Sequence, residues 1–283
     1  MSSTDECPSV HTEWHPVRQL LHYPGHDFAL IILNQPIKDE KLFRDLWSIA
    51  KPRVAADGGA NEIYHLNKKS VSTTGDGSSF GGEYVNLDTI IGDLDSLSDE
   101  TKNFFTTRPA NCTIIREADQ YSTDFAKAVK FVRNEFPGRD IVCMGGLGGR
   151  VDQGLSQLHH LYLFQASPTY ADGKMFFLSG ESLSFLLKAG KHRIHVREPN
   201  AAIGNFVRVD GDPFAKYAGI IPIKEPSIIT LRGFEWDVEN WPTEFGGQMS
   251  TSNHVLPETN VVEVETTKDV LFTIAMKPAA EGT

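Results

Sequence analysis

The chain has 283 residues, of which 40% are hydrophobic and 23% charged, enough apolar material for a large core and for two domains. Its 27 Lys and Arg against 37 Asp and Glu give a net charge of −10, which excludes general nucleic-acid binding but leaves room for small anionic ligands held by a local Arg, Lys or metal. Cys7, Cys112 and Cys143 have no paired spacing, so neither a zinc motif nor a disulfide framework is expected, and Cys143 reads as a buried small hydrophobe.

The polar N-terminus has no basic start followed by an apolar block, and the longest apolar runs, such as Ala29 to Leu33, are too short to span a membrane. A cytoplasmic, reducing location without membrane partners is the expectation. Residues 1–25 read as a loosely ordered lead-in. Phe28 to Leu33 then reads as a buried strand, Asp39 to Ile49 as a helix, and Val54 to Ala56 as a short strand ending at Asp57-Gly58-Gly59. Residues 71–82, rich in Ser, Thr and Gly, read as a flexible insertion. Further strands are expected at Thr89 to Ile91, Thr113 to Ile115 and Ile141 to Met144. Phe125, Val129, Val132 and Phe136 form one helical face, capped by Ser122 or Thr123, and Val151, Leu155, Leu158 and Tyr162 form another. Strands alternating with helices predict a parallel sheet covered on both faces. After residue 172 the character changes to short strand-like runs (Phe176 to Leu178, Leu183 to Leu187, His192 to Val196, Ile228 to Leu231, Val261 to Val264, Val270 to Ala275) between Gly and Pro turns, which predicts an antiparallel β-sandwich over 173–283. The fold class is therefore α/β: a parallel-sheet domain over 26–172 followed by a sandwich. His159-His160 is expected at the surface or an interface.

In parallel sheets ligands sit beyond the carboxyl ends of strands, and the chemistry-bearing motifs fall there. Asp93-Leu94-Asp95 places carboxylates at i and i+2, which point the same way in extended backbone and can share a cation. The same residues also make good turn and cap chemistry. An aspartyl phosphohydrolase also begins with Asp-x-Asp, but Leu97 stands where its pattern wants Thr or Val. Asp119 to Lys127 opens a helix, whose first N–H groups favour phosphate, and puts Asp124 and Lys127 on one face, where one can hold a metal and the other meet phosphate. An ordinary cap with an ion pair would look the same. Gly145 to Gln153 joins a strand to a helix; its glycines permit close backbone approach and Arg150 offers a planar fork, although it matches neither a Walker loop nor a dinucleotide fingerprint. Hard cations such as Mg²⁺ prefer such oxygen ligands and keep substrate phosphates in their shell, so the motifs point to metal-assisted phosphate chemistry.

Taken together, in order and spacing, these motifs resemble the thiamine pyrophosphokinase family. The resemblance extends through Gly233-Phe234-Glu235-Trp236 and Gly246 to Asn253, and covers about Phe28 to Ala275. It implies an enzyme, a thiamine diphosphokinase, that moves a pyrophosphoryl group from ATP to thiamine with Mg²⁺, giving thiamine diphosphate and AMP. It also implies an ATP-binding α/β domain, a thiamine-binding β-sandwich, and a homodimer with active sites at the subunit interface. By motif, Asp93, Asp95 and Asp124 look like the Mg²⁺ ligands, and Asp57, Gly58, Gly59, Asn61 and Thr123 like ATP contacts. Lys127, Arg150 and Asp152 look like catalytic groups, with Arg150 also on ATP, and Gln120, Trp236, Ser250, Ser252 and Asn253 like thiamine contacts. Gln153 stands where many bacterial members have His and eukaryote-like members have Gln. Two other classes stay open: a Mg²⁺-dependent phosphohydrolase, and a non-catalytic vitamin-binding protein, which would have no need of all these acidic and phosphate-facing residues.

Overall fold

The structure is a computed structural model that describes residues 11–20, 27–74, 82–107, 112–198 and 213–277. In chain order the elements are β1 (Thr12–Trp14), α1 (Pro16–Leu20), β2 (Phe28–Ile32), α2 (Glu40–Ile49), β3 (Arg53–Ala56), α3 (Gly59–Thr74), β4 (Thr89–Gly92), α4 (Asp99–Thr106), β5 (Thr113–Arg116), α5 (Asp124–Glu135), β6 (Asp140–Met144) and α6 (Val151–Phe164). They continue with β7 (Met175–Leu178), β8 (Ser182–Leu187), β9 (Gly190–His195), β10 (Phe214–Ile221), β11 (Ser227–Arg232), β12 (Val238–Thr243), β13 (Ser250–His254), β14 (Val261–Thr266) and β15 (Val270–Met276). The described residues divide into two compact units, one within 27–180, the other of 11–20 with those from 181 to 277.

The first unit is built on parallel strands in the order β7-β6-β2-β3-β4-β5. Every residue of β2, β3, β4 and β7 is buried, as strands covered on both faces require. Asp39 caps α2 by accepting from Leu42 N at 2.8 Å, and Thr123 Oγ1 caps α5 by accepting from Ala126 N at 3.1 Å. The apolar face of α5 (Phe125, Val129, Val132) is buried where the helix packs on β4, β3 and β2.

Met175–Leu178, which the sequence places in the sandwich, pairs in parallel with β6. A run of four apolar residues has no alternation, and that is the signature of a strand buried on both faces. Val71–Thr74, read as the start of the insertion, continue α3, and residues 75–81 lie outside the described residues, as does Cys7. Helix α6 forms over the expected residues, with its expected apolar face only partly covered: Val151 is 78% and Leu155 59% exposed, while Leu158 and Tyr162 are half-buried.

The second unit holds two sheets, β13-β10-β15-β8 and β1-β9-β14-β11-β12, antiparallel except for the parallel pair β1–β9. Strand β14 alternates buried and exposed residues, one face inward. The sheets meet where Trp14 of one stacks on Phe185 of the other at 4.4 Å between ring centroids. Part of the lead-in expected to be loose is thus ordered: Trp14 is fully buried and its indole N–H donates to His192 Nδ1 at 3.1 Å. A large aromatic in the core offsets the ordering entropy of a short strand. Trp14→Ala should therefore destabilise this unit by about 3–5 kcal/mol, read as a lower melting temperature in calorimetry; an unchanged melting temperature would mean the lead-in is not anchored.

Candidate active site

Strand order places the candidate residues. Asp57 directly follows β3, Asp93 follows β4, and Asp124 opens α5, so all reach the carboxyl edge of the sheet. Carboxylate oxygens of Asp57, Asp93 and Asp124 lie within 4.8 Å of one another. Asp93 N donates to Asp124 Oδ1 at 3.1 Å, and Asp95 N donates to Asp93 Oδ1 at 3.1 Å. That second bond holds the Asp93 carboxyl below the usual carboxylate range. Leu94 sits at φ 67°, turning the chain sharply between the two motif aspartates. Asp95 is exposed and accepts from Ser96 Oγ at 3.0 Å, outside the close trio.

Close approach of these groups depends on Gly92. A Cβ there would meet Asp57 Cβ at 2.8 Å and Asp124 Oδ1 at 2.9 Å. Lys127 is buried to 1% exposure, with its Nζ 2.9 Å from Asp124 Oδ1, so it holds that carboxylate in place rather than facing the cleft. Asp57 is buried to 3%; its Oδ2 accepts from Ser96 N at 3.0 Å, while its Oδ1 has no hydrogen-bond partner among the described residues. Burial, and then the charges of Asp124, Asp95 and Asp93, push its carboxyl up to about 6.

These carboxylates open on a cleft of about 500 Å³. Of the residues named from sequence, Asp57, Gly58, Asp93, Gln120, Thr123, Asp124 and Arg150 line it. Gln120 Nε2 lies 3.4 Å from Asp93 Oδ2. Arg150 and Asp152 are exposed and bonded to each other at 3.0 and 2.6 Å, so the guanidinium fork is spent on its neighbour in this state. Gly59 packs on β2, where a Cβ would meet Ile32 O at 2.3 Å. Asn61 ties down the loop after β4, donating to Ser96 O at 2.7 Å and accepting from Ser98 N at 3.1 Å. Gly59 and Asn61 shape the site rather than line it.

Sequence reasoning missed Asn34, Gln35 and Gln157, which also line the cleft. Asn34 and Gln35 sit just past β2, so the strand-end rule that singled out Asp57 and Asp93 would have found them. It also misplaced His160, which is 5% exposed. His160 Nδ1 lies 2.5 Å from the carbonyl oxygen of Ser156, an acceptor only, and must donate to it, so Nε2 accepts from Thr123 Oγ1 at 3.0 Å.

The remaining candidates stand on the second unit. The Trp236 indole is 53% exposed and lies 4.9 Å from the His254 ring, which meets Tyr217 edge-on at 5.1 Å. Asn253, 3% exposed, accepts from Trp236 N at 3.2 Å and donates to Trp236 O at 3.0 Å, so its amide fixes the tryptophan backbone. Ser250 opens β13, and Ser252 holds φ 54° within it.

A parallel α/β sheet with converging carboxylates and glycine turns at its carboxyl edge defines an enzyme of nucleotide phosphates. Known proteins make the class specific. The family model described as thiamin pyrophosphokinase, catalytic domain, matches residues 43–171, and that for the thiamin pyrophosphokinase vitamin B1 binding domain matches 191–271. The chain is 33% identical over 261 residues to thiamine pyrophosphokinase 1 of Arabidopsis thaliana, covering 89% of this chain and 88% of that one. It is 31% identical over 261 residues to thiamine pyrophosphokinase 3 of Oryza sativa subsp. japonica, with the same coverage of 89% and 88%. The solved thiamin pyrophosphokinase from Candida albicans superposes with a TM-score of 0.75 at 25% identity over 96% of this chain and 95% of that one. The chain belongs to the thiamine pyrophosphokinase family.

The raised Asp57 carboxyl has a consequence for stability. Its folded-state value of about 6 lies above the ordinary 3.8, so the fold favours the neutral acid. The stability from that acid is complete below 3.8 and is lost as pH rises through about 6. In chelator, Asp57→Asn should be more stable than the parent by about 2–3 kcal/mol at pH 8 and equal to it at pH 4. Urea melts at both pH values check this; a pH-independent difference would contradict it.

Proposed function

We propose that the protein transfers a pyrophosphoryl group from ATP to the hydroxyl of thiamine, giving thiamine diphosphate and AMP. The observation that carries this reading is the meeting of Asp57, Asp93 and Asp124 at the mouth of a phosphate-sized cleft in a chain of this family. The donor set fits Mg²⁺: it is all oxygen, it is crowded with like charge, and Asp57 Oδ1 is buried without a partner among the described residues. Asp57, Asp93 and Asp124 would hold the ion, with the exposed Asp95 on the loop beside them. A cation bound there offsets phosphate charge and bridges phosphate oxygens.

The protein's own groups supply position. Lys127 fixes Asp124 through Oδ1, and the paired amides and carbonyls of Asn61 hold the Asp95-Ser96 loop against α3. The free N–H groups at the start of α5, oriented by the Thr123 cap, face the cleft and suit phosphate oxygens. Gly58 and its neighbours let the backbone approach the nucleotide. Arg150 swings from Asp152 onto phosphate, which leaves Asp152 as the acceptor for the thiamine hydroxyl proton. Gln120 positions the acceptor from the Asp93 side. On the second unit, Trp236 offers an open indole face to the flat thiazolium cation, with Ser250, Ser252 and the Asn253 clamp around it.

We read the enzyme as a cytoplasmic homodimer with its active sites at the subunit interface. Val151, Leu155 and Leu163, 78%, 59% and 52% exposed on one helix, form an apolar stripe suited to a second copy of the chain. No helix among the described residues is long and apolar enough to cross a membrane.

Product analysis with ATP, Mg²⁺ and thiamine tests the reaction. Equimolar AMP and thiamine diphosphate are expected, and only when thiamine is present. ADP with thiamine monophosphate, or phosphate release without thiamine, would overturn the assignment. Trp236→Ala should raise the thiamine KM by about 3- to 30-fold with kcat nearly unchanged, since cation–π contacts contribute about 0.5–2 kcal/mol; an unchanged KM would remove Trp236 from the pocket.

A further inference from the structure

A second cluster of ligating side chains lies in the other unit, away from the carboxylate trio. Glu13 is on β1 and His15 just past it; His195 ends β9, the parallel neighbour of β1, whose Arg193 pairs with Glu13. Residues two apart on adjacent strands share a face, so Glu13, His15, Arg193 and His195 project together. One ligand atom from each of Glu13, His15 and His195 lies within 4.8 Å of the others. His195 Nε2 is 2.7 Å from Glu13 Oε2, and the two imidazoles stack at 4.1 Å.

We propose that Glu13, His15 and His195 form a second metal site, for a borderline dication of the Zn²⁺ class, that clamps β1 to β9. Two imidazoles and one carboxylate suit Zn²⁺, Co²⁺ or Ni²⁺ and are a poor set for Mg²⁺. A supporting shell is present. Glu198 Oε1 lies 2.6 Å from His15 Nδ1, and Arg18 Nε holds the other Glu198 oxygen at 2.8 Å. A carboxylate taking the Nδ1 proton leaves the His15 Nε2 lone pair for metal, the second-shell pattern that orients histidine ligands. Among the described residues, the carboxylates of Glu13, Glu198 and Glu263 face Arg18 and Arg193 around the cluster. The ion takes the place of the hydrogen between His195 Nε2 and Glu13, and that proton moves to Nδ1, which carries no hydrogen bond among the described residues. Bonds of about 2.0–2.1 Å set tetrahedral ligand atoms about 3.3 Å apart, so the 2.7 Å Glu13–His195 pair opens, His15 closes on it from within 4.8 Å, and the stacked rings splay.

The site serves the fold. Strand β1 has three residues and lies at the sheet edge, and a ligand bound only by the folded state raises its stability. Co²⁺ titration of the full chain, followed by visible absorption, tests the proposal. Co²⁺ with nitrogen ligands in a low-coordinate site absorbs far more strongly than in an all-oxygen octahedral one, so the carboxylate cleft does not mimic the signal. A band is expected that Zn²⁺ abolishes, that excess Mg²⁺ leaves intact, that Asp93→Asn retains, and that His15→Asn/His195→Asn loses. With Mg²⁺ in excess to fill the carboxylate cleft, Zn²⁺ should also raise the melting temperature of the parent by about 2–4 °C and leave that of Glu13→Gln unmoved. Absence of the band, its persistence in the double histidine variant, or an equal Zn²⁺ shift in Glu13→Gln would each overturn the proposal.

Discussion

Like-charge crowding at the carboxyl edge of the parallel sheet is the constraint on which the rest of the active unit depends. Three strand-end or helix-start aspartates are brought within a few ångströms, and two of them touch a position where only glycine fits. Such a cluster opposes folding, and burial, with that crowding added to it, is why Asp57 favours its neutral acid. Lys127 pairs directly with Asp124 and acts on Asp93 only through space, and its burial leaves it no reach into the cleft. The remaining charge needs a partner from outside the chain. On the proposed reading a divalent cation carrying phosphate oxygens would supply it, and the electrostatic cost of the crowded carboxylates would drive assembly of the metal–nucleotide complex.

The second unit answers a different requirement, recognition of a flat organic cation. Its polar strand β13 carries Asn253, whose amide holds both backbone groups of Trp236 and leaves the indole half open to solvent. A buried side chain here fixes an exposed one, so the proposed thiamine contact is held ready without being part of the core. Trp14 performs the complementary task inside the sandwich, locking the N-terminal strand against Phe185. The proposed Glu13–His15–His195 site would act on the opposite face of that same strand, where the sheet edge is otherwise secured only by β9.

Much of this was legible in the sequence where one physical signal dominated. Continuous apolar runs marked β2, β4 and β6, and Thr123 before an amphipathic stretch marked the start of α5. Strand-end acidic residues marked Asp57, Asp93 and Asp124. The misreadings have particular causes. Met175–Leu178 looked like a sandwich strand because its apolar run says buried but not in which sheet. Val151 and Leu155 have helical spacing, yet periodicity gives a face and not what covers it. Strands β12 and β13 are too polar for an alternation rule, and β1 is a three-residue strand whose reason is one tryptophan. The trio itself was read with Asp95 beside Asp93, since i and i+2 align in extended chain. Leu94 in the left-handed region breaks that alignment, and Asp57 stands closer, contributed from another strand by a contact that no local rule reports.

The most direct test of the central claim is Mn²⁺ binding, read as loss of the free-ion electron paramagnetic resonance signal. The parent is expected to bind one Mn²⁺ per active cleft, more tightly with a non-hydrolysable ATP analogue, and to lose that affinity at least about tenfold in Asp93→Asn and in Asp124→Asn, with circular dichroism unchanged. Mn²⁺ affinity equal to that of the parent in both variants would contradict the account, because the carboxylates would then be crowded together for some reason other than a cation.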